Sequence, residues 1–183
     1  MPPSLPHQPN RLQRIGGLSH SRPIRSHRGR LTDKPHRMSV DRGKYGSKIH
    51  LITERTGLPL SVGISGANLH DSQALEPLVR GIPPIRSRRG PRRRRPAKLH
   101  ADKAYDNRHL RQWLRLRHIT PRIARKGVET SQKLGRHQWT IERTMAWLAG
   151  CRRIHRRYER QAIHFLAFTS IACTLICYRR LTN

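Results

Sequence analysis

The fold class is decided by two β-rich runs in the middle of the chain, KIHLIT (48–53) and LPLSVGI (58–64). A short glycine-bearing connection, ERTG (54–57), separates them, and this arrangement predicts an antiparallel hairpin. Strands are also predicted at 98–102 and 120–124. Helices are predicted at 73–80, 135–150 and 161–180, and a further helix is predicted to begin after a cap at Asp106 or Asn107. Strands followed by alternating strand and helix elements indicate an α/β domain with a mixed sheet.

The charge of the chain is its strongest compositional feature. Its 183 residues include 39 Lys and Arg against 10 Asp and Glu, a formal net charge of +29, and only 34% are hydrophobic. A charge of this size repels itself in a compact state and is best tolerated beside a polyanion. The composition excludes an acidic small-molecule enzyme, a coiled coil and a disulfide-rich secreted domain, and nucleic acid is the expected partner.

Cysteines and apolar runs bear on the compartment. Three cysteines, Cys151, Cys173 and Cys177, are too few and badly placed for a disulfide framework, so we expect them to pack as thiols. The apolar run at 163–178 contains polar residues and is shorter than the roughly 18–20 residues that span a bilayer. It is predicted to be a core helix ending in Arg179 and Arg180. Without a secretory signal at the N-terminus, we expect a cytoplasmic, nucleoid-associated protein with no membrane partner.

Residues 1–40 and the segment 81–97 depart from the domain pattern. The first is predicted to be a disordered Pro/Arg-rich arm, because it cannot bury enough apolar surface to offset the entropy of ordering. The second is predicted to be a basic loop within a domain at 41–183. Its arginines are too dense and too one-signed for a merely solvated face, which favours phosphate contacts. They are Arg86, Arg88, Arg89, Arg92, Arg93, Arg94 and Arg95.

Two of the ten acids stand out as candidates for chemistry. Asp102 ends a strand predicted to be buried, which is where open α/β sheets place ligand-binding groups. Glu142 has mostly apolar neighbours three and four residues away on its predicted helix, where an unpaired carboxylate is costly. An arginine such as Arg143 is one partner for it. A divalent ion held jointly with Asp102 is the other, since Mg²⁺ prefers hard oxygen ligands.

Four sequence blocks follow one another along the domain: DRGKYGSKIHL (41–51), GANLHDS (66–72), HADKAYD (100–106) and WTIERTMAWL (139–148). In their order and spacing they resemble the catalytic core of bacterial insertion-sequence transposases of the DDE class. The resemblance runs from about residue 41 to the C-terminus. Its strongest parts are the strand that ends in Asp before Tyr-Asp, and the helix block with Glu-Arg and Ala-Trp-Leu.

The resemblance implies a ribonuclease-H-like fold, a mixed sheet flanked by helices. It also implies three acids that bind two Mg²⁺ ions, or Mn²⁺ in their place, for strand cleavage and transfer in DNA transposition. By this resemblance Asp102 is the second acid, Glu142 the third, and Arg143 an adjacent phosphate or carboxylate partner. Lys48 and His50 are expected to face DNA or the site edge. The implied partners are the insertion-sequence ends, the target DNA and further copies of the chain.

This chain departs from the family pattern at the position of the first acid. The family carries it on a strand upstream of the block at 41–51, where this chain has the Pro/Arg-rich arm with Asp33 as its one acid. We therefore expect a sheet that is incomplete at its N-terminal strand, in a truncated or frameshifted copy with impaired activity. Two alternatives stay open: a non-catalytic basic nucleic-acid-binding protein, and a reading frame that yields no stable protein.

Overall fold

The structure is a computed structural model that describes residues 15–20, 40, 41, 44, 45, 47–85, 91–128, 131–155 and 157–182. The strands are β1 Ile15–His20, β2 Val40–Asp41, β3 Lys44–Tyr45, β4 Ser47–Thr53, β5 Pro59–Gly66, β6 Lys98–Ala101 and β7 Thr120–Ile123. The helices are α1 Leu75–Arg80, α2 Arg108–Leu116, α3 Ser131–Ala149, α4 Arg152–His155 and α5 Ala162–Thr182. Short 3-10 turns lie at Asp71–Ala74 and Lys103–Tyr105. The predicted mixed α/β class is confirmed.

The main sheet has five strands in the order β5-β4-β1-β6-β7, and β2 and β3 pair separately. β4 runs antiparallel to β5 and to β1, whereas β6 runs parallel to β1 and β7. The predicted hairpin is therefore confirmed as β4 and β5. Its turn depends on Gly57, which has a φ of +92°, a conformation that L side chains rarely adopt.

β1 corrects two expectations from the sequence. Ile15–His20 forms a strand at the centre of the sheet, so the predictions of an unstructured arm and of a missing N-terminal strand are wrong at these six residues. Ile-Gly-Gly-Leu-Ser-His has little strand propensity of its own. It is nevertheless paired on both sides, with β4 and with β6, through backbone groups that any residue supplies. Residues 1–14 and 21–39 lie outside the described part of the chain.

Two hydrophobic clusters cover the two faces of the sheet. The first joins Ile52 of β4 and Leu99 and Ala101 of β6 to buried residues of α1 and α2. The second joins Ile49 and Leu51 of β4 to buried residues of α3, α4 and α5. Successive side chains of a strand point to opposite faces, which is why neighbouring residues of β4 enter different clusters. Helices therefore flank the sheet on both sides, as predicted.

Helix α5 is longer and less buried than the predicted core helix. Its inner face packs into the second cluster through Phe165, Thr169, Ala172, Cys173 and Ile176, and its outer face is exposed. Within the described residues it is the one helix whose length and composition would allow it to cross a membrane, a test that core helices of soluble proteins also pass.

The cysteines behave largely as expected from the sequence. All three are free thiols. Cys173 is buried, and desolvation raises the pKa of its thiol to about 12, so it packs as a protonated, apolar group. Cys151 and Cys177 are half-buried rather than buried.

Candidate functional site

Asp102 lies where the sequence predicted it, directly after β6. Its side chain accepts a hydrogen bond from the backbone N–H of Lys103 and so caps the 3-10 turn Lys103–Tyr105. The sheet register pairs Gly17 of β1 with Ile52 of β4 on one side and with Ala101 of β6 on the other. The side chains of Ile52 and Ala101 both belong to the first cluster. Alternation along the strand therefore assigns Asp102 to the other face of the sheet, the face covered by α3 and α5.

Glu142 lies on α3 and is exposed. The apolar environment predicted for it is wrong. Trp139, one turn away, is 51% exposed, and among the described side chains of this helix, 139–149, the buried ones are Ile141, Thr144 and Leu148. Glu142 remains a candidate through the family resemblance alone. Helix α3 packs against β1, the strand that pairs with β6. Asp102 and Glu142 are thus carried by elements that both contact β1.

The described side chains do not assemble a metal site. Within the described part of the chain, no three His, Cys, Asp or Glu side chains form a group that could hold a metal ion. The sequence of β1 contains neither Asp nor Glu.

Lys48 and His50 form part of an inward-facing polar network at the start of β4. Lys48 Nζ lies 3.1 Å from Asp71 Oδ1 and donates to the Leu69 carbonyl at 3.0 Å. His50 is 1% exposed, and its Nε2 lies 2.6 Å from Ser65 Oγ. Its Nδ1 has no hydrogen-bond partner among the described residues.

Burial determines the charge of His50. Desolvation lowers its pKa below the ordinary value, and Lys48 lowers it further, although the nearby carboxylate of Asp71 opposes both effects. The imidazole is therefore neutral near pH 7. In this structure His50 is buried and the Lys48 ammonium lies against Asp71. The prediction that Lys48 and His50 face DNA or the edge of the site stays a prediction. Nothing in the sequence indicated the ion pair between Lys48 and Asp71.

Arg143 docks α3 onto the turn between β4 and β5. Its Nη2 donates to the Thr56 carbonyl at 2.6 Å, and its guanidinium stacks over Trp139 at 4.2 Å and Trp147 at 5.0 Å from the ring centroids. Beside it, the buried Thr144 hydroxyl lies 2.7 Å from the Gly57 carbonyl oxygen. Arg143 thus bonds a backbone carbonyl in this structure, and its predicted role as a phosphate or carboxylate partner stays a prediction.

The basic loop connects α1 to β6. Ile85 and Arg93 exchange two backbone hydrogen bonds of 2.9 Å, which close the loop at its base. Arg92, Arg93, Arg94 and Arg95 are exposed, as phosphate contacts require. Arg86, Arg88 and Arg89 lie outside the described residues.

Asp106 has a structural role that the sequence did not indicate. Its Oδ1 accepts hydrogen bonds of 2.9 and 2.7 Å from Arg111, and its Oδ2 accepts one of 2.9 Å from the Lys126 backbone N–H. These donors, the Lys126 amide first, lower the pKa of the Asp106 carboxyl. Of the two predicted candidates for the cap of α2, Asn107 is the one that caps it, and its side chain accepts a hydrogen bond from the His109 N–H at 2.9 Å.

Comparisons with known proteins identify the family of this chain. The family model for the transposase DDE domain matches residues 19–177, and the chain belongs to this family. The chain is 43% identical over 142 residues to the putative transposase for insertion sequence element IS402 of Burkholderia cepacia, an alignment that covers 78% of this chain and 67% of that protein. The predicted membership in the insertion-sequence transposases of the DDE class is confirmed.

A solved structure was also matched over part of the chain. The crystal structure of the Mos1 strand transfer complex matches with a TM-score of 0.38 and 12% sequence identity. The match covers 61% of this chain and 34% of that chain, so the present chain spans about a third of it.

Proposed function

We propose that this transposase domain binds DNA but does not cleave it alone, because its set of catalytic acids is incomplete. One observation carries the proposal: β1, the central strand upstream of the block at 41–51, contains no Asp or Glu. The family resemblance assigns the first acid to a strand in this part of the chain. The family match begins at residue 19, so only the end of β1 falls within it.

The position of β1 supports this assignment. β1 pairs with β6, which leads into Asp102, and contacts α3, which carries Glu142. A carboxylate on β1 would therefore stand between the elements of the other two acids. Mg²⁺ or Mn²⁺ held by three such groups supplies the Lewis acid and activates the water for phosphodiester cleavage in this chemistry. With two of the three, no cleavage step is assigned to this chain.

Affinity for DNA does not depend on the missing acid. A net charge of +29 attracts a polyanion, and the four exposed arginines of the basic loop offer contacts to the phosphate backbone. We propose the DNA of insertion-sequence ends and of target sites as the ligand, and the nucleoid as the place of action. The mixed sheet flanked by helices supports the ribonuclease-H-like arrangement that the resemblance implies.

A second reading, a non-catalytic basic nucleic-acid-binding protein, is favoured by the local role of Asp102. Its bond to the Lys103 N–H accounts for an acid at this place without any metal ion. The two readings agree on DNA binding. They differ in whether Asp102 and Glu142 respond to a divalent ion once the third acid is restored.

Restoring an acid on β1 tests the proposal. Position 18 is one step beyond the Gly17–Ala101 pair and therefore level with Asp102, whereas position 19 is one step further and belongs to the opposite face. We expect Leu18→Asp, but not Ser19→Asp, to gain thermal stabilisation by Mn²⁺ and to nick supercoiled plasmid DNA. Both gains should disappear when Asp102→Ala is added.

Two results would contradict the proposal, one from the unmodified chain and one from Leu18→Asp. Nicking by this chain in Mg²⁺, abolished by Asp102→Ala, would show that its acid set is complete and the proposal wrong. If Leu18→Asp gained no response to the metal while remaining folded and bound to DNA, the non-catalytic reading would replace it.

A further inference from the structure

The outer face of α5 carries a stripe of exposed apolar side chains. Phe168, Ile171, Leu175 and Tyr178 are 36%, 56%, 46% and 66% exposed, and they follow one another at intervals of three, four and three residues. These intervals place all four on one side of a helix. The buried residues of α5 lie on the opposite side, in the second cluster. The helix is therefore apolar on two faces, of which the described part of the chain covers one.

The order of side chains in the stripe is nearly symmetric. From one end it runs aromatic, aliphatic, aliphatic, aromatic, with Ile171 and Leu175 on either side of its centre. A two-fold axis through this centre, perpendicular to the helix, would bring Phe168 opposite Tyr178 and Ile171 opposite Leu175 of a second copy. Each contact would then pair two large apolar groups, and the alternating spacing is the one that lets facing helices interlock.

The area of the stripe suits such a pairing. Ile163 and Leu181 extend it at the two ends, at 65% and 60% exposure. At about 200 Å² for a fully exposed large side chain, the six residues present roughly 650 Å². A standard interface buries about 800 Å² on each partner, so the stripe with its polar flanks is large enough. Monomeric proteins seldom leave an apolar patch of this size uncovered without a function.

Charge decides the relative direction of the two helices. α5 contains no Asp or Glu, and Arg179 and Arg180 lie in its last turn. A parallel pair would bring these arginines of both copies side by side. An antiparallel pair separates them along the helix axis by more than the screening length of about 8 Å at physiological salt.

We propose that the α5 stripe is a self-association surface on which a second copy of this chain docks antiparallel about a two-fold axis. The proposal rests on the exposed side chains, their order and the charges of α5, and it holds whether or not the chain cleaves DNA. It identifies the surface of the homo-oligomer that the family resemblance led us to expect.

Sedimentation equilibrium of the purified chain, under reducing conditions and at high salt to screen its net charge, tests the proposal. We expect a reversible dimer of twice the 21.3 kDa chain mass. Leu175→Asp should weaken the dimer at least about tenfold, because the symmetry places two buried charges in one interface. The matched control is Leu116→Asp, the same change at an exposed leucine of α2, which should leave the dimer intact.

A charge pair tests the antiparallel direction separately. Ile171→Glu and Leu175→Lys should each weaken the dimer. The double variant should regain it, because each introduced Glu then faces an introduced Lys of the other copy. In a parallel dimer each introduced Glu would face the Glu of the other copy, and each Lys would face a Lys. A double variant whose dimer is weaker than that of both single variants would therefore overturn the proposed direction.

Three results would overturn the self-association surface itself. They are a monomer at all concentrations, a dimer that Leu175→Asp does not weaken, and binding of neutral phospholipid vesicles that Leu175→Asp abolishes. The last would assign the stripe to a lipid surface. Circular dichroism of Leu175→Asp and Leu116→Asp monitors folding, which an exposed position should leave unchanged.

Discussion

The contact between α3 and the β4–β5 turn yields a quantitative prediction about Thr144→Val. The substitution keeps the shape of the side chain and removes its hydroxyl, which lies 2.7 Å from the Gly57 carbonyl oxygen and 3.0 Å from the Thr140 carbonyl oxygen. Thr144 is fully buried, so water cannot replace the hydroxyl at the Gly57 carbonyl. A buried acceptor left without its partner costs about 1–3 kcal/mol. We expect the free energy of unfolding to fall by about 2 kcal/mol.

Two other threonines supply matched controls for this change. Thr174 bonds the Ser170 carbonyl of its own helix at 3.0 Å but is exposed, so Thr174→Val should change stability by less than about 0.5 kcal/mol. Thr169 is buried and bonds the Phe165 carbonyl of its own helix at 2.7 Å. The loss of stability in Thr169→Val should lie between those of Thr144→Val and Thr174→Val, because the Phe165 carbonyl that loses its hydroxyl partner is already part of the helical hydrogen-bond ladder.

Urea denaturation followed by circular dichroism measures these differences, with equal slopes as the check that the transition is unchanged. In thermal melts, Thr144→Val should lower Tm by roughly 4–8 °C, the shift expected for about 2 kcal/mol in a chain of this size. If Thr144→Val were as stable as Thr174→Val, the hydroxyl would not hold α3 on the turn.

Two further predictions concern Asp106 and the basic loop. The lowered pKa of Asp106 stabilises the fold above the unfolded value of 3.8 and ceases to do so as pH falls through the folded pKa. Asp106→Asn should therefore be less stable at pH 7, with a deficit that shrinks in unfolding measurements below about pH 4. Replacing Arg92–Arg95 by Gln should reduce the slope of log affinity for DNA against log salt by up to about 3–4, at roughly 0.9 per phosphate contact, measured by fluorescence anisotropy. The control replaces four exposed arginines outside the loop by Gln: Arg55, Arg108, Arg122 and Arg160. An equal reduction of the slope in this control would contradict a special role of the loop.

The sequence predicted those elements whose signal is local. Alternating β-branched and apolar residues around ERTG were enough for the hairpin, since both strands and the turn lie within one stretch. The strand before Asp102 and helices α2, α3 and α5 were likewise indicated by nearby residues, with ends that shifted by a few positions. Asn107 was named beforehand as one of two candidate caps of α2, because the residue types that accept from the first helical N–H groups are few.

Contacts between distant segments were not predictable in this way. Lys48 and His50 alternate with Ile52 on β4, which shows that they share a face, but the pattern does not say that this face is covered. Asp71, which engages Lys48, comes from a turn 23 residues further on. The apolar neighbours of Glu142 do not mark a buried face, because Trp139 packs under the Arg143 guanidinium on the outside of α3 while the polar Thr144 is buried.

β1 is both an element that the local sequence did not predict and the strand on which the proposed function depends. Its pairing with β4 and β6 uses backbone groups, so six residues with two glycines and no local strand signal can still complete the sheet. The chemistry has no such tolerance, because a carboxylate is a side chain and no backbone group replaces it. A strand of altered sequence can therefore keep the fold and leave the charge that attracts DNA unchanged while it removes the acid that cleavage needs. On the proposed function, binding and cleavage are separable in this chain for that reason, and a single carboxylate at position 18 should be enough to reconnect them.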